Sequence, residues 1–120
     1  MIKLPIPVSV NQAYAGYGRR YKSKKYKDWE KEAKTILDTQ DLPIVAPHTP
    51  LIVKYVYHMP CWYKNGNHKK IDVFNYEKAL SDFLEHNLPG FEDEYIYKGV
   101  VEKIDSKLYT VYIEIEPYNI

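Results

Sequence analysis

An α+β fold is predicted: a mixed sheet of about four strands, two covering helices and a C-terminal β-hairpin, in one domain spanning residues 1–120. Three observations predict it. Residues 23–39 and 75–84 carry apolar side chains at helical spacing. Four other stretches are short, β-branched or aromatic, and bounded by Pro, Gly or Asp-Ser clusters. The order is strand, helix, strand, helix, strand, strand, so the last two strands are separated only by a turn.

The first strand is Ile2 to Ile6, closed by Pro5 and Pro7. Gly16 and Gly18 make the following stretch a loop. From Arg19 to Lys27 it carries Arg19, Arg20, Lys22, Lys24, Lys25 and Lys27 with no acid, and Tyr17, Tyr21 and Tyr26 lie between them. Such a segment can follow a phosphate backbone while its rings pack on sugars or bases. It is also compatible with a solvated charge run, although positive charge at a helix start opposes the helix dipole. Ser23 is the N-cap of the first helix, which runs to about Thr39 and buries Tyr26, Trp29, Ala33, Ile36 and Leu37. Leu42 to Pro50, with three prolines, is an extended connection.

Leu51 to Met59 has polar residues only at Lys54 and His58 and reads as a central strand. A loop from Pro60 to Lys70 leads to the second helix, whose apolar face is Tyr76, Ala79, Leu80, Phe83 and Leu84. Asn75, Lys78 and Asp82 form a polar stripe beside that face, and Asp72 stands before it, able to cap free N–H groups or reach a ligand. Asn87-Leu-Pro-Gly-Phe turns into an acidic knot, Glu92-Asp93-Glu94. Tyr95 to Ile104 and Leu108 to Ile115 are the two strands of the terminal hairpin.

Carboxylates at a helix entrance, a lysine one turn in and a second acidic knot suit a magnesium site for phosphodiester hydrolysis, because hard cations take oxygen ligands. The same pattern also fits a plain amphipathic helix with Asp72 as its cap and wet charges outside. Net charge is only +1, so nucleic-acid contact has to come from local clustering. Thirteen tyrosines give the chain many apolar surfaces ending in a hydroxyl, which fit base, sugar or protein contacts. Cys61 is the single cysteine, which excludes an internal disulfide and agrees with a cytoplasmic location; the start has no signal-peptide pattern and no apolar run is long enough for a membrane. His58, Cys61 and His68 lack the spacing of a zinc site.

In these residues the chain resembles the RusA-type Holliday-junction resolvases, small dimeric endodeoxyribonucleases common in prophages. The family's opening Pro-x-x-x-Asn-x-x-Tyr loop with basic residues matches Pro7, Asn11, Tyr14, Arg19 and Arg20, and a His-Met-Pro strand end matches His58-Met59-Pro60. The catalytic Asp-x-Asp-Asn-x-x-Lys matches Asp72, Asn75 and Lys78, the helical aspartate matches Asp82, and Gly-Phe with an acidic pair matches Gly90-Phe91 and Asp93-Glu94. Two positions depart: the second aspartate is Phe74, and the last acid is Glu94 in place of Asp. Asp82 or Glu77 is placed to supply the missing oxygen, Asp82 being on the Asn75 stripe.

The resemblance implies cleavage of four-way DNA junctions in recombination and repair by a homodimer using Mg²⁺, with Mn²⁺ able to substitute. It implies Asp72, Asp82, Asp93 and Glu94 as metal ligands and Lys78 as the cation beside the scissile phosphate. Asn11, Tyr14, Arg19, Arg20, Lys22, Lys24, Lys25, Lys69, Lys70 and Asn75 would contact DNA. Phe74 keeps a second reading open, a junction-binding protein of the same fold with weakened catalysis. A protein-interaction domain rich in exposed tyrosines is the third.

Overall fold

The computed structural model describes residues 1–9, 14–15 and 21–119, with Tyr14, Ala15 and Tyr21 described in their backbone only. Asn11, Arg19 and Arg20 lie outside the described residues. The elements are β1 (Ile2–Pro5), β2 (Tyr14–Ala15), β3 (Tyr21–Lys22), α1 (Lys24–Leu37), β4 (Leu51–Met59), α2 (Glu77–Asn87), β5 (Ile96–Asp105) and β6 (Thr110–Pro117). β2 and β3 form a small antiparallel ribbon of their own.

β4 alternates buried and half-buried along its whole length. Its inward residues are Leu51, Val53, Tyr55, Tyr57 and Met59, opposite Ile115, Ile113 and Val111 of β6. Ile2 and Leu4 of β1 extend the same face through their pairing with β6. Both helices cover this face. α1 starts at Ser23, whose hydroxyl accepts the Tyr26 N–H at 3.2 Å, and buries Tyr26, Trp29, Ala33 and Leu37, with Ile36 half-buried. Its Trp29 indole donates to the Pro5 carbonyl at 2.9 Å and meets Phe83 of α2 edge-on at 5.1 Å between ring centres. The aromatic quadrupole favours that arrangement. The Tyr26 hydroxyl reaches the Ala79 carbonyl, tying α1 to α2.

The four-stranded sheet is mixed, in the order β1-β6-β4-β5. The α+β class, the four strands and the two covering helices follow the sequence. The terminal strand pair differs in one respect from a hairpin. β5 and β6 are consecutive and oppositely directed, but β4 lies between them, parallel to β5 and antiparallel to β6. The hairpin is split because β4 is the chain's most continuous apolar strand and gains neighbours on both edges by standing in the centre. The connection passes over its end, where the Ser106 N–H donates to the Met59 carbonyl at 3.0 Å. The whole segment between β4 and β5 is therefore a crossover connection, and it contains the acidic residues. No helix among the described residues is long and apolar enough to cross a membrane.

Candidate active site

Asp72 is extended (φ −97°, ψ 108°) and its Oδ1 accepts the Phe74 N–H at 3.0 Å, capping a single 3₁₀ turn, Val73–Asn75. The capping role is as expected, but it belongs to this turn and not directly to α2. The turn is held to the sheet by Lys103 of β5, whose Nζ donates to the Ile71 carbonyl at 3.0 Å. Tyr76 then opens α2, which buries Ala79, Leu80, Ser81, Phe83 and Leu84. Burying that stripe leaves Lys78, Asp82 and Glu85 facing away from the core, and Lys78 Nζ lies 3.8 Å from an Asp82 oxygen.

Beyond α2 the chain reverses through Gly90, at φ +85°, and Phe91 is buried, its N–H donating to the Leu88 carbonyl at 3.1 Å. The reversal lays a second 3₁₀ turn, Asp93–Tyr95, beside the last turns of α2. The Asp93 N–H donates to Glu85 Oε1 at 3.3 Å. Oxygen atoms of Asp82, Glu85 and Asp93 all lie within 4.8 Å of one another. Three carboxylates at that spacing repel by about 1 kcal/mol per pair even in bulk-water dielectric. A cation among them removes the repulsion.

Of the acids singled out from sequence, Asp82 and Asp93 are brought together here, whereas Asp72 and Glu94 stand outside this group. Glu85 was not anticipated. It continues the Asn75, Lys78, Asp82 stripe by one more helical step, and extending that stripe to the helix end would have found it.

Beneath the site lies a polar seam in the core. The Tyr55 hydroxyl and Ser81 Oγ are 2.6 Å apart, both buried. Burial raises the Tyr55 pKa to about 12, offset by the Ser81 hydrogen bond and reinforced by the charges of Glu77 and Asp93. Tyr57, fully buried, is raised further by desolvation and then by Glu77. Glu77 itself is held above the usual carboxylate range, first by desolvation and then by the charge of Asp72, against hydrogen bonds from backbone N–H groups that lower it. Its Oε1 and the Tyr57 hydroxyl are buried with no hydrogen-bond partner among the described residues. Glu77 thus feels the charge of Asp72 and acts on both tyrosines, while its Oε1 has no partner among the described residues.

The sign of its effect on stability follows. A carboxyl whose folded pKa is raised holds its proton more tightly folded than unfolded. Its destabilising contribution is absent below the unfolded pKa and develops as pH rises through the folded pKa. Glu77→Gln is therefore expected to raise the melting temperature of the protein in chelator at neutral pH. The gain should shrink towards about pH 4, the ordinary carboxylate range, in melts recorded across pH. A gain independent of pH would show that the carboxylate charge is not the cause.

The basic residues differ in how free they are. Lys24, Lys25 and Lys70 are exposed. Lys22 Nζ is 3.0 Å from Glu30 and lies over the Tyr26 ring, and Lys24 makes a 3.8 Å pair with Asp28. Lys69 is half-buried over the Tyr63 ring, and Asn75 is half-buried in the 3₁₀ turn. Phe74, which stands where the resembled motif has its second aspartate, is 73% exposed beside Asp72.

Two comparisons bear on this arrangement. No curated protein gives a significant match to the chain. The family model described as endodeoxyribonuclease RusA matches residues 5–116, from β1 to β6 and across the whole crossover that carries the acids. With the match covering nearly all of its 120 residues, the chain belongs to the endodeoxyribonuclease RusA family.

Proposed function

We propose that this protein is a Mg²⁺-dependent endonuclease that resolves four-way DNA junctions during phage or prophage recombination and repair, acting as a cytoplasmic homodimer. RusA nucleases depend on divalent metal and act on branched DNA. The observation that carries the reading for this chain is the convergence of Asp82, Glu85 and Asp93 beside Lys78. The donor set fits a hard divalent cation, because every group in it is a carboxylate oxygen.

Asp82, Asp93 and Glu85 would hold the metal, with Asp72 and Glu94 completing the acidic rim. When bound, the metal supplies an activated water and neutralises charge on the scissile phosphate. Lys78 then acts as a point charge for the phosphate or the leaving oxygen, kept near the site by Asp82. Lys69 and Lys70, in the loop before Asp72, and Lys22, Lys24 and Lys25 around the start of α1 would bind the duplex arms with Asn75, Asn11, Tyr14, Arg19 and Arg20. Two copies related by a two-fold axis present two sites to opposed strands.

The test is cleavage of a synthetic four-way junction with Mg²⁺ and with Mn²⁺, beside calorimetric titration of each ion. Cleavage into paired linear duplexes is the expected result. Exposed Phe74 favours one second reading, a junction binder with weakened catalysis. That reading gains if junctions bind in both metals and stay intact. Lys69→Gln with Lys70→Gln should weaken binding and reduce the salt slope by about 0.9 for each phosphate that is no longer neutralised.

A further inference from the structure

The segment between β4 and the first 3₁₀ turn is a small finger. The Tyr63 N–H donates to the Asn67 carbonyl at 2.8 Å, the Lys69 N–H to the Cys61 carbonyl at 2.8 Å, and Trp62 bridges His68 across it. Its tip is a turn closed by the Gly66 N–H on the Tyr63 carbonyl at 3.0 Å, with Gly66 at φ +88° and the Asn67 N–H on Asn65 Oδ1. Its base is fixed to the sheet: Asp105 Oδ1 accepts the Cys61 N–H at 2.9 Å, and Cys61 is buried. The finger is thus a built ribbon standing on the end of β4.

Its surface is unusual for a short ribbon. Trp62 and Tyr63 are 54% and 56% exposed although adjacent in sequence. Pleating sends neighbouring side chains to opposite faces, so each face of the finger carries one large ring. Trp62 meets the His68 ring edge-on at 4.6 Å, and Tyr63 lies under the Lys69 ammonium at 5.4 Å. Residues 61–70 include Lys64, Lys69 and Lys70 and no acid. Rings held by a hydrogen-bonded backbone among cations, with no acid in the segment itself and Asp105 engaged at its base by the Cys61 N–H, suit a polyanion with flat unpaired faces. Asp72 follows two residues after the finger ends, capping the 3₁₀ turn that leads into α2.

We propose that this finger is a DNA base-stacking element, in which Trp62, supported by His68, packs on an unpaired nucleobase at a branch point while Lys64, Lys69 and Lys70 hold the flanking phosphates. Tyr63 gives the opposite face a second platform. The element rests on the nuclease reading for its substrate, but it makes a separate physical claim: aromatic stacking is worth about 1–3 kcal/mol per base and tolerates any sequence, whereas duplex arms offer no free base face.

Tryptophan fluorescence provides the test. The chain has two tryptophans, and Trp29 is buried between α1 and α2, so Trp62→Phe isolates the signal of Trp62 by difference. Titration with a four-way junction and with oligo-dT should quench Trp62, and a blunt duplex should not. Trp62→Ala should bind the junction about tenfold more weakly with an unchanged salt slope, Trp62→Phe should recover most of the loss, and melting temperatures should stay within error of the parent. A junction that binds while Trp62 stays silent overturns this inference and leaves the nuclease reading intact. Absence of junction binding altogether overturns both. If Trp62→Ala instead turns a dimer into a monomer in sedimentation, the finger faces a second copy of the chain and the stacking role is wrong.

Discussion

Asp82→Asn is expected to lower junction cleavage by about 10²–10³-fold, the loss that follows from several kcal/mol of metal-borne charge stabilisation. The substitution keeps the shape of the side chain and removes one of three negative oxygens that lie within 4.8 Å of one another. Two further effects separate a ligand from a mere surface charge. In chelator the variant should melt at or slightly above the parent temperature, because a mutual repulsion among Asp82, Glu85 and Asp93 has been relieved. In saturating Mg²⁺ the order should reverse, since a ligand that binds only the folded chain stabilises it by about 2.7 kcal/mol at a hundred times its dissociation constant. Thermal melts with and without metal, read beside cleavage rates, decide the matter. Equal metal-induced shifts in parent and variant would remove Asp82 from the ligand set.

The second large effect lies away from the acids. Gly90→Ala is expected to destabilise the fold by about 2–4 kcal/mol. Two costs combine. Gly90 sits at φ +85°, a conformation that residues with a Cβ rarely adopt. A Cβ there would also fall on the Val45 carbonyl oxygen and come within 2.9 Å of the Val45 carbonyl carbon, atoms of buried backbone that have no rotamer to escape into. Gly66→Ala is the internal control, because Gly66 has φ +88° but open space around its missing side chain. It should cost only the backbone term of about 1–3 kcal/mol. Because Gly90 aims the turn that delivers Asp93, Gly90→Ala should weaken Mg²⁺ binding and stability together, while Gly66→Ala should leave metal binding untouched. Denaturant unfolding and calorimetric titration of the two variants check this.

Much of the fold was legible because its signals are local. β4 spans Leu51–Met59 as its pattern of apolar and aromatic residues implies, and the apolar stripes of both helices are the ones that pack. The split of the terminal hairpin was not legible. A short turn between two strands says that they are close and reversed, but not that a third strand stands between them; that depends on which strand has the most apolar surface to cover on both edges. The site was legible to the extent that α2 fixes it. Asp82 and Asp93 meet, and Glu85 lies on the same helical stripe one step further. Asp93 and Glu94 are neighbours on a 3₁₀ turn with three residues per turn, so their side chains point about 120° apart and only one of them can face α2. Asp72 was placed correctly as a cap, and its carboxylate is engaged at 3.0 Å by the backbone it caps. The unpartnered oxygen of Glu77 depends on its burial in the folded chain, which no local spacing encodes.

Both ends of the acid-bearing crossover are clamped by parallel strands, β4 at its entry and β5 at its exit. Its interior length is free of that clamp. Residues can be gained or lost between Met59 and Ile71 without shifting a single rung of the ladder, because the stub at Cys61 is pinned to Asp105 and the far end at Ile71 to Lys103. Such an architecture lets the protrusion change in length or sequence while α2 and the carboxylate-bearing turn after it keep their places on the sheet.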